Sequence, residues 1–144
     1  MNDMKNLLFA FCCCLMPVTM FCQAVPCKKC NTIILKSELP ASDLYRAVLK
    51  NLVLKGYGLE NQDAGMMILE TDFKEVKNLR VKFFVLVEQL QNGSVLYFRG
   101  KYRSDFGESE IDFRGMKGSP ALRAWELMNE FAKVFEGSMD YAFQ

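Results

Sequence analysis

The strongest constraint on the fold is a hairpin pattern between residues 79 and 103. Apolar and polar residues alternate along residues 79–91 and again along residues 94–103, with Asn92-Gly93 between the two runs. Alternation with a period of two places successive side chains on opposite faces of a strand. Asn-Gly is the dipeptide most typical of a tight turn between antiparallel strands. The pattern therefore predicts a long hairpin with one buried face and one open face.

Two helices are predicted, one before and one after this hairpin. The first has Ser42 or Asp43 as its N-cap and ends at Gly56, where a left-handed residue closes a helix. The second has Ser119 as its N-cap, Pro120 in its first turn and an apolar stripe that continues to Gly137. Each helix therefore has one face suited to packing on a sheet.

The remaining segments complete an α+β domain. Residues 31–37, 57–62 and 66–75 are predicted strands, and residues 104–109 are a predicted loop or bulge. The pattern leaves open whether residues 109–114 form a separate strand. We expect the order β-α-β-β-β-β-α, in which an antiparallel sheet of four to five strands carries both helices on one face. The single domain would span residues 31–137, followed by a C-terminal tail of residues 138–144.

The first 24 residues are typical of a secretory signal peptide. Lys5 precedes an apolar run over residues 7–22, and the small residues Cys22 and Ala24 fit cleavage after Ala24. The alternative is a retained membrane anchor, but a spanning helix needs about 20 apolar residues. This run is shorter and contains Pro17. We therefore expect a secreted or periplasmic protein, and association with the outer membrane is compatible with the pattern.

Cleavage would leave two cysteines, Cys27 and Cys30, in an N-terminal tail of residues 25–30. Outside the cytosol this CxxC pair favours a local disulfide. The alternatives are thiol redox chemistry through Cys27 and Cys30, and lipid attachment at Cys27, although Pro26 is a poor residue before a lipidated cysteine. Zinc would need a second cysteine pair, so we predict no metal site.

Charge and composition exclude several function classes. The chain has 18 Lys plus Arg and 17 Asp plus Glu, a formal net charge of +1. No strong field would therefore attract nucleic acid or an anionic membrane. The chain contains no histidine, which excludes Ser-His-Asp and Cys-His catalysis and histidine-ligated metals. We predict no cofactor and no nucleic-acid partner, and membrane contact only if Cys27 is lipidated.

The open face of the hairpin is the candidate binding surface. Its predicted side chains mix arginine and lysine with aromatic residues, a combination that is enriched at interfaces. The predicted ligand- or partner-binding residues are Arg80, Lys82, Phe84, Tyr97, Arg99, Lys101 and Arg103. The alternative is a solvated face whose opposite charges pair across the strands. A second candidate site is the carboxylate pair Glu110 and Asp112, which a glycoside-type hydrolase could use.

Several short motifs resemble those of a known group of domains. They are Asp43-Leu44-Tyr45 at the helix start, Gly56-Tyr57, the segment Asp63-Ala64-Gly65-Met66-Met67-Ile68, and Asn92-Gly93 before an arginine-containing strand. Together with the order β-α-β4-α, they resemble small secreted bacterial domains of unknown function with a TATA-binding-protein-like fold. The resemblance implies this half fold and a cell-envelope location. It implies no activity and no catalytic residues.

These observations predict a secreted binding or adaptor module of the bacterial cell envelope. It would recognise a protein or another envelope component through the open sheet face, without catalysis. The alternatives are a carboxylate-based hydrolase that uses Glu110 and Asp112, and a thiol-redox protein that uses Cys27 and Cys30.

Overall fold

A computed structural model describes residues 24–144, so the predicted signal peptide lies, except for Ala24, outside the described residues. The described chain is an α+β domain with two helices and an open antiparallel sheet. The elements in chain order are β1 (Thr32–Ser37), α1 (Ala41–Leu54), β2 (Leu59–Asp63), β3 (Ile68–Thr71), β4 (Lys74–Val76), β5 (Leu79–Leu90), β6 (Gly93–Ser104), β7 (Gly107–Glu110), α2 (Pro120–Ala132) and β8 (Ser138–Ala142).

The sheet confirms the predicted class and has more strands than predicted. Its order is β2-β3-β5-β6-β1-β8, while β4 also pairs with β5 and β7 also pairs with β6. All these pairings are antiparallel. The prediction of four to five strands was wrong because it missed β7 and β8 and merged β3 with β4.

The predicted strand over residues 66–75 is interrupted at Asp72 and Phe73, between β3 and β4. The amide of Asp72 donates to the carbonyl of Gly58 at 2.9 Å, and the amide of Phe83 donates to the Thr71 hydroxyl at 3.0 Å. The Thr71 side chain thus replaces a backbone acceptor, and Asp72 leaves the ladder with β5. The hydrogen bonds of Thr71 and Asp72 therefore divide one predicted strand into the two short strands β3 and β4.

Residues 104–110 form a hairpin in place of the predicted loop. The chain turns after Ser104, and β7 returns along β6 with Ser104 opposite Gly107 and Lys101 opposite Glu110. Beyond β7, the Ile111 amide still donates to the Gly100 carbonyl at 2.9 Å, and the Ile111 side chain is buried. The strand in this region therefore ends at Glu110, and residues 111–113 leave it as irregular chain.

Residues 138–144, assigned by the sequence pattern to a tail, contain the edge strand β8. Met139 lies opposite Leu35 and Tyr141 lies opposite Ile33 of β1. Helix α2 ends at Ala132 and not at Gly137, which instead precedes β8 where a side chain would collide with the Lys36 carbonyl. The strand was missed because its partner β1 lies about a hundred residues earlier in the chain.

The hydrophobic core lies between the two helices and one face of the sheet. Alternate residues of the long hairpin point into it, as predicted, and the rings of Phe83 and Phe98 lie 4.9 Å apart beneath Phe131 of α2. The buried hairpin residues include Leu79, Val81, Phe83, Val85, Val87, Leu96, Phe98 and Tyr102. Neither helix in residues 24–144 has the length and the apolar character that crossing a membrane requires.

The helix starts agree with prediction for α2 and differ for α1. The Ser119 hydroxyl accepts from the Leu122 amide at 3.3 Å, as an N-cap does, and Pro120 follows it. Helix α1 begins at Ala41, and its N-cap position is Pro40, two to three residues before the predicted Ser42 or Asp43, with no side-chain cap. The Ala41 amide instead donates to the Gln89 side chain of β5 at 2.8 Å.

Candidate functional site

The predicted binding residues all lie on the sheet face opposite the helices, which we call the open face. Their neighbours along β5 and β6 are buried in the core, and side chains alternate between faces along a strand. The register also places them in cross-strand pairs: Arg80 opposite Arg103, Lys82 opposite Lys101, Phe84 opposite Arg99, and Leu86 opposite Tyr97. Three of these four pairs contain at least one cation, so the open face concentrates positive charge.

Glutamates from neighbouring strands neutralise three of these cations. Lys82 forms ion pairs with Glu60 and Glu70, the latter at 2.6 Å. Lys101 and Arg103 both bind Glu108 of β7, at 3.3 Å and 2.8 Å. Hydrogen bonds to the two glutamates raise the pKa of Lys82. Cross-strand pairing of this kind allows like charges to lie side by side on the sheet.

Hydrogen bonding also fixes the charge state of Glu108. Its carboxylate accepts from Arg103 and from Lys101, and these bonds hold its pKa below the usual value. Glu108 is therefore ionised throughout the neutral range. For Lys82, Lys101 and Arg103, the alternative of a solvated face describes the contacts well, because each of these cations already has a carboxylate partner.

Phe73 covers the strongly basic end of the open face. The guanidinium of Arg103 lies 4.5 Å from the centre of its ring, and Arg80 lies 6.0 Å from it. Such cation–π contacts are favourable by about 0.5–1 kcal/mol at exposed sites. Phe73 was not among the predicted site residues, and it occupies the break between β3 and β4 that the sequence pattern did not reveal.

Two predicted cations, Arg80 and Arg99, make no ion pair and no side-chain hydrogen bond with any residue in the described part of the chain. Arg80 lies near the Phe73 ring, whereas Arg99 lies at the centre of the hairpin. Arg99 borders two cavities of about 220 Å³ and about 390 Å³, and both cavities are also lined by Phe84. Each cavity also has a glutamate in its wall, Glu110 in the smaller and Glu88 in the larger, so a ligand would place an anionic group on Arg99 and away from these carboxylates.

An apolar row crosses the open face next to Arg99. Cross-strand register places Ile34 of β1 opposite Tyr97, Tyr97 opposite Leu86, and Leu86 opposite Ile68 of β3. We call Ile34, Tyr97, Leu86 and Ile68 the apolar row, and each of the four is half-buried. Only Tyr97 of this row was among the predicted site residues. The row runs across strands that are distant in sequence, so no single segment carries its signal.

One end of the smaller cavity is closed by a hydrogen-bonded cluster around Asn31. The Asn31 amide group donates to the Gln144 carbonyl at 2.8 Å and to the Glu110 carboxylate at 3.4 Å. Its side-chain oxygen accepts from the Gln144 amide at 3.0 Å. This cluster holds the chain beyond β8 against the start of β1 and gives the cavity a polar wall.

The alternative carboxylate site has two unlike members. Glu110 lines the smaller cavity and is exposed, whereas Asp112 is buried and lies 2.9 Å from the Arg114 side chain. Burial raises the pKa of Asp112, and the nearby charge of Arg114 opposes this effect. The hydrolase hypothesis needs both carboxyls to face one bound substrate, and the ion pair with Arg114 engages Asp112 elsewhere.

The CxxC segment forms a disulfide between Cys27 and Cys30, whose Cα atoms lie 5.3 Å apart. Cys27 is exposed and Cys30 is fully buried. The Lys29 amide donates to the Phe113 carbonyl at 3.0 Å, and the Phe113 amide donates to the Cys30 carbonyl at 2.7 Å. The tail thus packs against the segment after β7. In residues 24–144, no cluster of three or more potential metal-ligating side chains occurs.

Comparison with known proteins provides no functional assignment. No protein-family model matches the chain, and no curated protein matches it in sequence.

Proposed function

We propose that this protein is a non-catalytic binding or adaptor module that recognises a protein or another envelope component through the open face. The observation that carries the proposal is that Phe84 and Arg99 line two adjoining cavities and that Tyr97 joins them in the larger one. Arg99 supplies an unpaired cation, and the aromatic groups supply apolar contact area. This combination is typical of the central residues of protein interfaces.

The paired cations fit a supporting role in the same surface. Lys82, Lys101 and Arg103 are held by carboxylates of this chain. Ion pairs at the rim of an interface add little affinity, because each charge is already compensated within its own chain. We therefore assign Arg99 and its aromatic neighbours to contact with the partner, and the paired cations to the polar rim around that contact.

The test is a charge reversal on the open face. We expect the double variant Arg99→Glu, Arg103→Glu to lose the partners that the immobilised wild-type domain captures from the envelope fraction of its own host. The matched control is Arg46→Glu, Lys50→Glu, which makes the same change of charge on the exposed side of α1. Circular dichroism and urea unfolding should show that both variants fold.

Quantitative mass spectrometry of the captured components decides the outcome. The proposal requires that at least one component be retained by the wild type and the α1 control and be lost from the open-face variant. Equal capture by all three proteins would mean that the open face is only a solvated surface.

For location, we propose secretion to the periplasm or to the outer membrane. The proposal is supported by the signal-peptide pattern of residues 1–24. Intact mass of the protein from its own host tests it. A mass that begins at Val25 supports a soluble secreted form, and an acylated mass that begins at Cys27 supports a lipoprotein. A mass that includes residues 1–24 would contradict cleavage.

For the fold, we propose the finer assignment of a TATA-binding-protein-like half fold to the part from β1 to α2. The support is the succession of a strand, a helix, an antiparallel meander and a second helix, with both helices on one face of the sheet. In this assignment β8 is an additional edge strand. Superposition of a crystal structure on one repeat of a TATA-binding protein tests it, and a different strand order in that repeat would exclude it.

A further inference from the structure

The open face has no free backbone groups at its centre. Strands β1, β3, β5 and β6 are each hydrogen-bonded on both sides, so their amides and carbonyls are engaged within the sheet. A polypeptide bound on this face can use only side chains of the protein. An extended segment binds a sheet mainly through backbone hydrogen bonds to a free edge, which this face does not offer, whereas an α-helix satisfies its own backbone.

The spacing of the apolar row also fits a helix. Its four residues lie on adjacent strands, so the three intervals of about 4.8 Å span roughly 14 Å. In an α-helix, apolar residues at positions i, i+3, i+7 and i+10 cover about 15 Å along the axis. Four same-face residues of an extended chain cover about 20 Å and would overrun the row.

Charge at the flank of the row indicates one further feature of the occupant. Arg99 follows Tyr97 by two residues on β6 and lies opposite Phe84, directly beside the row. It has no carboxylate partner in residues 24–144. A partner with an acidic side chain next to its apolar stripe would supply that carboxylate, and leaving Arg99 desolvated without one would be costly.

Neither helix in residues 24–144 of a second copy provides such an apolar stripe. The apolar stripes of α1 and α2 are both buried in the core, through residues such as Leu44, Val48, Trp125 and Met128. Neither described helix is therefore free to lay an apolar stripe on the row of a second copy, and we assign the occupant to another protein.

From these observations we infer that the open face binds an amphipathic helix of a partner protein, laid across the strands along the apolar row, with an acidic side chain against Arg99. The inference rests on the proposed function and specifies its partner. The helix contributes about ten residues, with apolar side chains at four positions on one face. The larger cavity lies over the row itself, since Ile68, Leu86 and Tyr97 line it, and accommodates an apolar side chain of the helix; the smaller cavity lies beside the row.

Site-specific photocrosslinking tests this inference on the intact protein in its own host. A benzophenone amino acid replaces Tyr97, in the middle of the apolar row, and in a control it replaces Lys50 on the exposed side of α1. We expect a crosslink from position 97 alone, to a segment of another protein with the stripe described above. Mass spectrometry of the crosslinked peptide identifies the segment.

A synthetic peptide of that segment provides the decisive measurements. Its circular dichroism should become helical on addition of the domain, and Arg99→Glu should weaken binding at least tenfold. Replacement of the peptide's acidic residue by arginine should restore most of the affinity of Arg99→Glu. A crosslink from position 97 to lipid, to a second copy or to an extended segment would overturn the inference, as would the absence of any crosslink.

The two proposals fail in different ways. If capture in the charge-reversal experiment does not depend on the open face, the proposed function fails and the helix inference fails with it. If capture depends on the open face but the crosslinked segment is not helical, or the arginine swap restores nothing, only the identity of the partner is wrong.

Discussion

At the scale of single residues, Gly100 shows how closely the segment after β7 packs on the sheet. Gly100 lies on the core side of β6, opposite Phe83. A Cβ atom at this position would lie 2.8 Å from the Lys82 carbonyl oxygen and 2.8 Å from Ile111 Cδ1. The Ile111 side chain therefore occupies the space that a side chain at position 100 would need.

This packing predicts how much the protein loses in stability when Gly100 is replaced by alanine, which adds only a Cβ atom. Gly100→Ala should lower the free energy of unfolding by about 1–3 kcal/mol, because the backbone carbonyl of Lys82 cannot move aside cheaply. The matched control is Gly65→Ala, whose Cβ would approach only the end of the exposed Asp63 side chain. The control should stay within about 0.5 kcal/mol of wild type in urea unfolding. Equal losses in both variants would contradict the assigned packing.

Two carboxyl groups should respond to acid in opposite directions. The pKa of Glu108 is lowered from 4.5 in the folded state, so its contribution to stability is lost as pH falls through this range. The pKa of Asp112 is raised from 3.8 by burial, so the folded state binds its proton more tightly. Stability contributed through Asp112 therefore increases as pH falls.

We expect substitutions of these residues to change the acid limb of the stability curve in opposite ways. Relative to wild type, Glu108→Gln should flatten the fall in unfolding free energy between pH 6 and about pH 3, and Asp112→Asn should steepen it. Urea unfolding at several pH values measures both slopes. A flatter curve for Asp112→Asn would mean that its ion pair with Arg114 outweighs its burial.

At the scale of elements, the two helices begin by different mechanisms. Helix α2 has the side-chain cap of Ser119, whereas the first free amide of α1 is satisfied by Gln89 from the sheet. Local sequence therefore predicts the start of α2 well. The start of α1 depends on a residue 48 positions away, which a local motif cannot reveal.

This difference gives a matched pair of serine substitutions. Ser119→Ala should destabilise the protein by about 1 kcal/mol, the usual cost of removing an N-cap. Ser42→Ala, at the position that the sequence pattern favours as a cap for α1, should change stability by less than about 0.5 kcal/mol because Ser42 is exposed and caps nothing. Thermal or urea unfolding distinguishes the two, and a large effect at Ser42 would mean that α1 starts there.

At the scale of the whole molecule, the sequence predicts features that depend on neighbouring residues and misses the pairing of strands that lie far apart in the chain. The alternation in residues 79–103 determines which side chains of β5 and β6 are buried, so the predicted open-face residues could be named. The apolar row and β8 depend on pairing between segments far apart in the chain. No alternation within Ser138–Ala142 indicates that β1 is its partner.

The disulfide contributes at this scale indirectly: it closes a short loop between Cys27 and Cys30, and the backbone hydrogen bonds of this loop attach the start of the described chain to Phe113 in the segment after β7. Reduction should lower the free energy of unfolding by about 2 kcal/mol, the value that chain entropy gives for so short a loop. Urea unfolding with and without reductant measures it. Hydrogen exchange should accelerate at the amides of Lys29 and Phe113, while the amides of β5 and β6 stay protected. Uniform acceleration would indicate that the disulfide supports the whole domain.

The position of β1 between β6 and β8 has a consequence for synthesis on the ribosome. β1 is the first strand made, yet one of its partners follows about sixty residues later and the other is the last strand. At roughly 5–20 residues per second, Ile33 and Leu35 remain unpaired for several seconds while the rest of the chain is translated. The domain can therefore complete its sheet only once β8 has been translated, and until then β1 stays accessible to a chaperone that binds the nascent chain.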